Sequence, residues 1–218
     1  MKKILLIGAL AVLGINANAQ ETRFGAKAGY SMSTLKVDDD LEDISTDPSH
    51  TFYVGGLVEH KFNDKFGIQG ELLYSPLGGK IVFKEEDTPG NFFDLKSKTI
   101  LGTLLIPVSA KYFITENFSL SLGASFGVIL SAKQKTVIDA GFGIPGLELE
   151  EDDEEDIKDE INTLNIAPFL GAEYMLENGL FFDARYNYGI SDLAKDSGDG
   201  KLTNSFLQVG IGFKFGGK

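Results

Sequence analysis

Alternation of apolar with small or polar residues runs through nearly the whole chain from Arg23 onward, with almost no helical spacing to compete with it. From Arg23 to Thr34, Phe24, Ala26, Ala28, Tyr30 and Met32 share one face, while Arg23, Gly25, Lys27, Gly29 and Ser31 share the other. The end of the chain repeats the pattern, with Leu207, Val209, Ile211, Phe213 and Phe215 set against Gln208, Gly210, Gly212, Lys214 and Gly216. A period of two means strands with two chemically different faces. Six further strands are expected near 51–62, 66–83, 98–114, 118–133, 161–176 and 180–190, eight in all.

The connections narrow the fold further. Asn63-Asp64-Lys65, Thr115-Glu116-Asn117 and Glu177-Asn178-Gly179 read as tight hairpin turns. The other four connections, near 35–50, 84–97, 134–160 and 191–202, are long and polar. Short and long links therefore alternate, and an even strand number puts both termini at the short-turn end. An all-β, eight-stranded antiparallel up-and-down transmembrane β-barrel has this layout, with short periplasmic turns and longer extracellular loops. A soluble lipocalin-like carrier is also an eight-stranded meander, so the faces must decide between them.

The apolar face carries rings at the short-turn ends of seven strands: Phe24, Phe62, Phe66, Tyr112, Phe118, Tyr174 and Phe215. Tyr30, Phe52, Tyr74 and Tyr188 form a second set toward the loops. Two aromatic belts separated by Ala, Val, Leu and Ile describe a lipid-facing band. The polar face supplies Arg23, Lys27, Lys61, Lys111, Arg185 and Lys214 against Glu59, Glu71, Glu173 and Asp183. These ten residues are expected to form an ion network that fills the barrel interior, with Leu57, Leu73, Leu105, Ile129, Phe169 and Phe181 also pointing inward. Pro107, inside the fourth strand, predicts a bulge or local break in the ladder, and Pro76 and Pro168 raise the same question.

Residues 1–19 read as a cleaved signal peptide: Lys2 and Lys3, an apolar run from Ile4 to Ile15, then Ala17-Asn18-Ala19 before Gln20. The barrel domain would then occupy 20–218. Loss of two lysines takes the formal charge from −12 to −14. The absence of cysteine excludes disulfides, thiolate metal sites and a lipid-modified cysteine, and the acidity excludes a nucleic-acid partner.

Segments 38–47, 85–94, 148–160 and 192–199 hold 23 of the 32 acids, all of them in the long connections. Glu151, Asp152, Asp153 and Glu154 are the candidate residues for a divalent cation. Their unbroken run lacks the Asp/Asn alternation and turn glycine of a preformed loop site, so the expectation is a solvated loop and no metal. Gly141-Phe142-Gly143-Ile144-Pro145-Gly146 matches a dinucleotide-binding pattern literally, but acids follow it where a helix should begin, and no cofactor is expected. Of the two histidines, His50 at the loop end of the second strand is the candidate catalytic base, with Ser49 and Asp47 beside it, for a lipid-A-modifying barrel enzyme. His60 lies near the other rim on the apolar face.

Several segments resemble the PorT family of small outer-membrane barrels of Gram-negative bacteria. They are the leader ending Ala-x-Ala-Gln, the stretch Arg23-Phe24-Gly25-Ala26-Lys27-Ala28-Gly29-Tyr30-Ser31, the stretch Leu105-Ile106-Pro107-Val108-Ser109-Ala110-Lys111-Tyr112, and the closing Phe206-Leu207-Gln208-Val209-Gly210-Ile211-Gly212-Phe213-Lys214-Phe215. The resemblance implies an eight-stranded barrel with no cofactor and no catalytic residues. The expected protein is a monomeric, non-enzymatic outer-membrane barrel with periplasmic termini, acidic extracellular loops and a structural or surface-interaction role. Its expected partners are outer-membrane lipid, the barrel-assembly machinery during insertion, and an unidentified extracellular or secretion-system protein. A lipid-A-modifying enzyme, a small-solute channel and a lipocalin-like carrier are the alternatives.

Overall fold

The computed structural model of the chain describes residues 21–38, 45–88, 91–142, 148–195 and 201–217, so the expected signal peptide lies outside the described residues. The described residues form nine antiparallel strands: β1 (Glu21–Asp38), β2 (Ser45–Lys61), β3 (Phe66–Thr88), β4 (Asn91–Phe113), β5 (Phe118–Phe142), β6 (Glu148–Asp156), β7 (Leu164–Met175), β8 (Leu180–Asn187) and β9 (Lys201–Gly216). Each wall strand pairs with its chain neighbours, β1 pairs with β9, and β5 joins both β4 and β7. Eight strands therefore close into a ring, and a closed ring has no free edge. The ninth strand, β6, pairs with the outer part of β5, from Lys133 to Gly141, beyond the stretch Phe118–Val128 that pairs with β7.

Three of the four long connections are thus shorter than the sequence pattern predicts. The segment near 84–97 is almost wholly strand, because β3 runs to Thr88 and β4 begins at Asn91. Most of 134–160 is the β5–β6 hairpin, and much of 35–50 belongs to β1 and β2. The reason is physical: a strand wetted on both faces no longer alternates apolar with polar residues, so its sequence stops looking like a strand while its backbone ladder continues. A tilted strand needs only about 9–11 residues to cross a bilayer. At 23, 23 and 25 residues, β3, β4 and β5 carry the sheet far past that, whereas β7 and β8 are short.

Side-chain caps close the three tight turns. Asn63 Oδ1 accepts the backbone N–H groups of Lys65 (2.9 Å) and Phe66 (3.0 Å), and Thr115 Oγ1 accepts that of Phe118 (3.0 Å). Asn178 Oδ1 accepts the N–H of Leu180 at 3.0 Å, and Gly179 takes φ +90°, a left-handed conformation that suits glycine. Pro107 interrupts the β3–β4 ladder between Gly70–Val108 and Leu73–Leu105 without shifting its register, which is the local break that a missing N–H predicts. The β2–β3 register does shift between Pro48 and Val54, opposite Pro76 and Gly78, the latter at φ +141°. Pro168 sits in regular register opposite Ala124.

The outward face is apolar. Thirty large hydrophobic residues among those described are exposed, including Phe52 (77%), Leu122 (66%) and Leu170 (63%). Such a continuous belt far exceeds the few hundred Å² that a soluble monomer tolerates. Ring pairs line both of its edges, Phe24–Phe215 and Phe66–Tyr112 at the turn end and Tyr30–Phe52 toward the loops. Leu57, Leu73, Leu105, Ile129, Phe169 and Phe181 are all buried inside. A second apolar cluster closes the far end, where Ile157, Ile161 and Leu193 fold over Leu35, Leu101, Ile129 and Ala132. That cap is tied down by the Ile161–Ala194 bridge, by Asn162 Nδ2 donating to the carbonyls of Asp192 and Ala194 (both 3.0 Å), and by Leu193 N donating to Leu202 O (2.7 Å).

Candidate functional site

Strand alternation aims every second residue of the wall into a narrow lumen, and the charges collected there form two tiers. In the tier nearer the tight turns, Lys111 Nζ lies 2.5 Å from Glu59 Oε2 and 2.7 Å from Glu173 Oε1. Lys214 Nζ contacts the same two oxygens at 2.7 and 2.5 Å. Two lysines and two glutamates, drawn from β2, β4, β7 and β9, thus make a four-membered ring of alternating sign. Gln69 Oε1 accepts a further hydrogen bond from each lysine, both at 3.2 Å. The Gln69 Nε2 amide donates to Glu71 Oε1 at 2.8 Å and so links this tier to the next.

In the second tier, Glu71 pairs with Arg185 (3.0 Å) and with Lys27 (3.3 Å), and Lys27 pairs with Asp183 at 2.6 Å. Arg185 Nε donates to Gln208 Oε1 at 2.9 Å. Buried rings cover the cations from the side: Lys27 lies over Tyr53, Arg185 over Phe169 and Lys214 over Phe181, at 5.5, 5.2 and 4.8 Å. Each tier holds two cations and two anions, so each is neutral by itself. That balance matters because an uncompensated charge in such a place costs several kcal/mol. Not every polar atom is satisfied: Tyr53 OH, Asp183 Oδ1, Glu71 Oε2 and Arg185 Nη2 lack hydrogen-bond partners among the described residues, although Glu71 Oε2 keeps its 3.3 Å ion pair with Lys27.

Eight of the ten residues expected in the lumen meet in these tiers, and two do not. Arg23 turns to the rim, where it pairs with Glu21 at 2.6 Å and donates to Met175 Sδ at 3.2 Å. Lys61 rests over the Phe113 ring at 4.8 Å. Removing these two cations turns a six-to-four excess into balance. Gln69, which links the two tiers, and Gln208, which joins Arg185 to Ser75 Oγ, carry no charge and were not among the ten. A cavity of about 10 Å³, close to what one water occupies, lies between Glu71, Lys111, Glu173 and Arg185. At the turn end, a recess of about 540 Å³ is lined by Arg23, Asn117, Met175, Asn178 and Lys214.

The catalytic candidates do not converge. Ser49 is fully buried on the inward face, whereas His50 is exposed on the outward face, hydrogen-bonded to Tyr30 OH and stacked on its ring at 5.7 Å. Successive strand residues point to opposite sides, so this pair cannot share a substrate. His60 is buried under Phe62, 2.8 Å from Thr22 Oγ1. Of the metal candidates, the side chains of Glu151 and Asp152 lie outside what the structure describes, and Glu154 pairs with Lys133 at 2.7 Å. That hydrogen bond and charge hold the exposed Lys133 ammonium above its ordinary pKa. No metal-holding cluster of three or more such ligands occurs among the described residues. Of the literal glycine motif, Gly141 pairs with Glu148 at the hairpin tip, and 143–146 lie outside the described residues.

A family model described as an outer membrane protein beta-barrel domain matches residues 18–195. Among solved structures, the chain is similar to Ail, the attachment invasion locus protein of Yersinia pestis, at 17% identity, covering 89% of this chain and 99% of that one with a TM-score of 0.44. It is similar to neisserial surface protein A at 19% identity, 88% and 97% coverage and a TM-score of 0.41. Against OprG from Pseudomonas aeruginosa the figures are 15%, 90% and 97%, and 0.41. No curated protein matches the chain.

Proposed function

Because the chain belongs to the outer membrane protein beta-barrel domain family, we propose that it is a structural or surface-interaction barrel of the PorT-like kind, with its lumen closed by ion pairs and its acidic strand extensions displayed outside the cell. The observation that carries this reading is the pair of neutral ionic tiers across the lumen, whose cations and anions are in direct contact. A solute path would have to break several buried charge contacts at once. The apolar cap formed by Ile157, Ile161 and Leu193 adds a second closure at the other end.

In this reading, residues 1–19 are removed during export, the barrel spans 20–218, and both termini face the periplasm. The tight turns capped by Asn63, Thr115 and Asn178 lie on that side too. Separation of Ser49 from His50 supports a non-enzymatic role, and no cofactor is required. The protein works as a monomer, inserted by the barrel-assembly machinery and surrounded by outer-membrane lipid, with an extracellular or secretion-system protein as its unidentified partner. Refolded full-length protein in planar bilayers tests the closure: the expected trace stays at baseline, and stable conductance steps from the wild-type chain would overturn it.

A further inference from the structure

On the outward wall of the β3–β4–β5 extension, the register brings lysines together in a chain that is otherwise strongly acidic. Lys80, Lys98 and Lys135 are direct partners across three adjacent strands, and Lys96 lies one outward row further on, between Val82 and Val137. These residues line a recess of about 380 Å³. Like charges placed directly opposite one another across a ladder destabilise it. Asp47 stands at one end of the row, beside Lys80, and Glu154 at the other, beside Lys135, so the acids compensate the flanks. Lys96 and Lys135 also engage neighbours, while the central Lys98 makes no ion pair among the described residues.

Height identifies the occupant. The lysine row lies fourteen residues along β3 and β4 from the Phe66–Tyr112 aromatic pair at the turn end. At about 3.3 Å per residue and a tilt of about 40°, that is roughly 35 Å along the barrel axis, against an apolar band about 25 Å tall. The row directly below holds Ile100 opposite Lys133, on the same outward face as the exposed belt. The lysines therefore continue the lipid-facing wall about 10 Å past its apolar band, within the headgroup layer, and their stems can follow the wall while the ammonium groups reach the phosphates.

We infer that Lys80, Lys96 and Lys98 form a docking surface for the phosphate groups of an anionic outer-leaflet lipid. The inference rests on the outer-membrane reading above, since only there does this height coincide with such headgroups. Phosphates bridging the lysine row remove its self-repulsion and fix the orientation of the long β3–β5 extension above the membrane.

The test uses the full chain refolded in detergent, with a fluorescently labelled bis-phosphorylated lipid A, its phosphate-free form, and heparin as a soluble polyanion. Wild type is expected to bind the phosphorylated lipid, more weakly as salt rises, and to prefer it to the phosphate-free form. K80Q/K96Q/K98Q is expected to bind it about tenfold more weakly, and Lys65→Gln, at a tight turn, to bind as wild type does. Equal wild-type affinity for the two lipids overturns the inference, and that comparison needs no variant to fold. A folded triple variant that binds like wild type overturns it too, as does heparin displacing the lipid and binding more tightly than it. If the wild-type chain shows no heat-modifiable migration in detergent gels, the barrel reading itself fails, which separates the two failures.

Discussion

Lys214 shows how little freedom a neutral tier leaves to each of its members. Replacing it with methionine leaves Lys111 facing both Glu59 and Glu173, one buried anion without compensation. Losing one partner of such a buried cluster costs about 3–5 kcal/mol. The K214M/E173Q variant, which restores neutrality, should be more stable than K214M alone when unfolding in urea is followed by heat-modifiable migration. Additive losses would contradict the coupling. Gly210 faces a different limit. A Cβ there would collide with the Tyr53 hydroxyl and approach Asp183 Oδ1 at 2.8 Å, so Gly210→Ala should cost about 1–3 kcal/mol. Gly56→Ala, where the nearest atom is 3.6 Å away, should stay within about 0.5 kcal/mol of wild type in the same titration.

Strands that leave the membrane level separate the wall from its decoration. β5 uses Phe118–Val128 to close the ring with β7 and Lys133–Gly141 to hold β6, and the two stretches do not overlap. Replacing 136–153 by a short turn should therefore keep heat-modifiable migration and an unchanged urea midpoint. Collapse of both would show that the hairpin is part of the folding unit. The same division explains what the sequence reveals. Where one face meets lipid and the other the lumen, as in β1 and β9, alternation was legible to within a few residues. In β6, with eight acids in nine positions and residues 153–156 exposed on both faces, the pattern vanishes although the ladder continues. The cap of Ile157, Ile161 and Leu193 was equally illegible, because three scattered apolar residues in polar segments have no period to read.

At the scale of the whole molecule, charge is sorted by height. The lumen tiers sum to zero, lysines gather on the outward wall of the β3–β5 extension, and β6 beyond it carries eight acids in nine positions. Eight of the ten lumen candidates were legible because they lie on the strand face opposite the apolar belt, but sorting Arg23 and Lys61 at the rim from the tiers needed the third dimension. Intact-mass measurement of the exported protein should begin at Gln20, and a retained leader would contradict the signal-peptide reading. The central claim is that the apolar face of the barrel looks out to lipid and the charged face looks in. The chain contains no tryptophan, so a single introduced indole reports one position cleanly. Leu170 and Phe169 are adjacent on β7, the first 63% exposed and the second 4%. In vesicles containing brominated lipid, Leu170→Trp should be strongly quenched and Phe169→Trp nearly unaffected. Quenching of Phe169→Trp with Leu170→Trp spared would contradict the account.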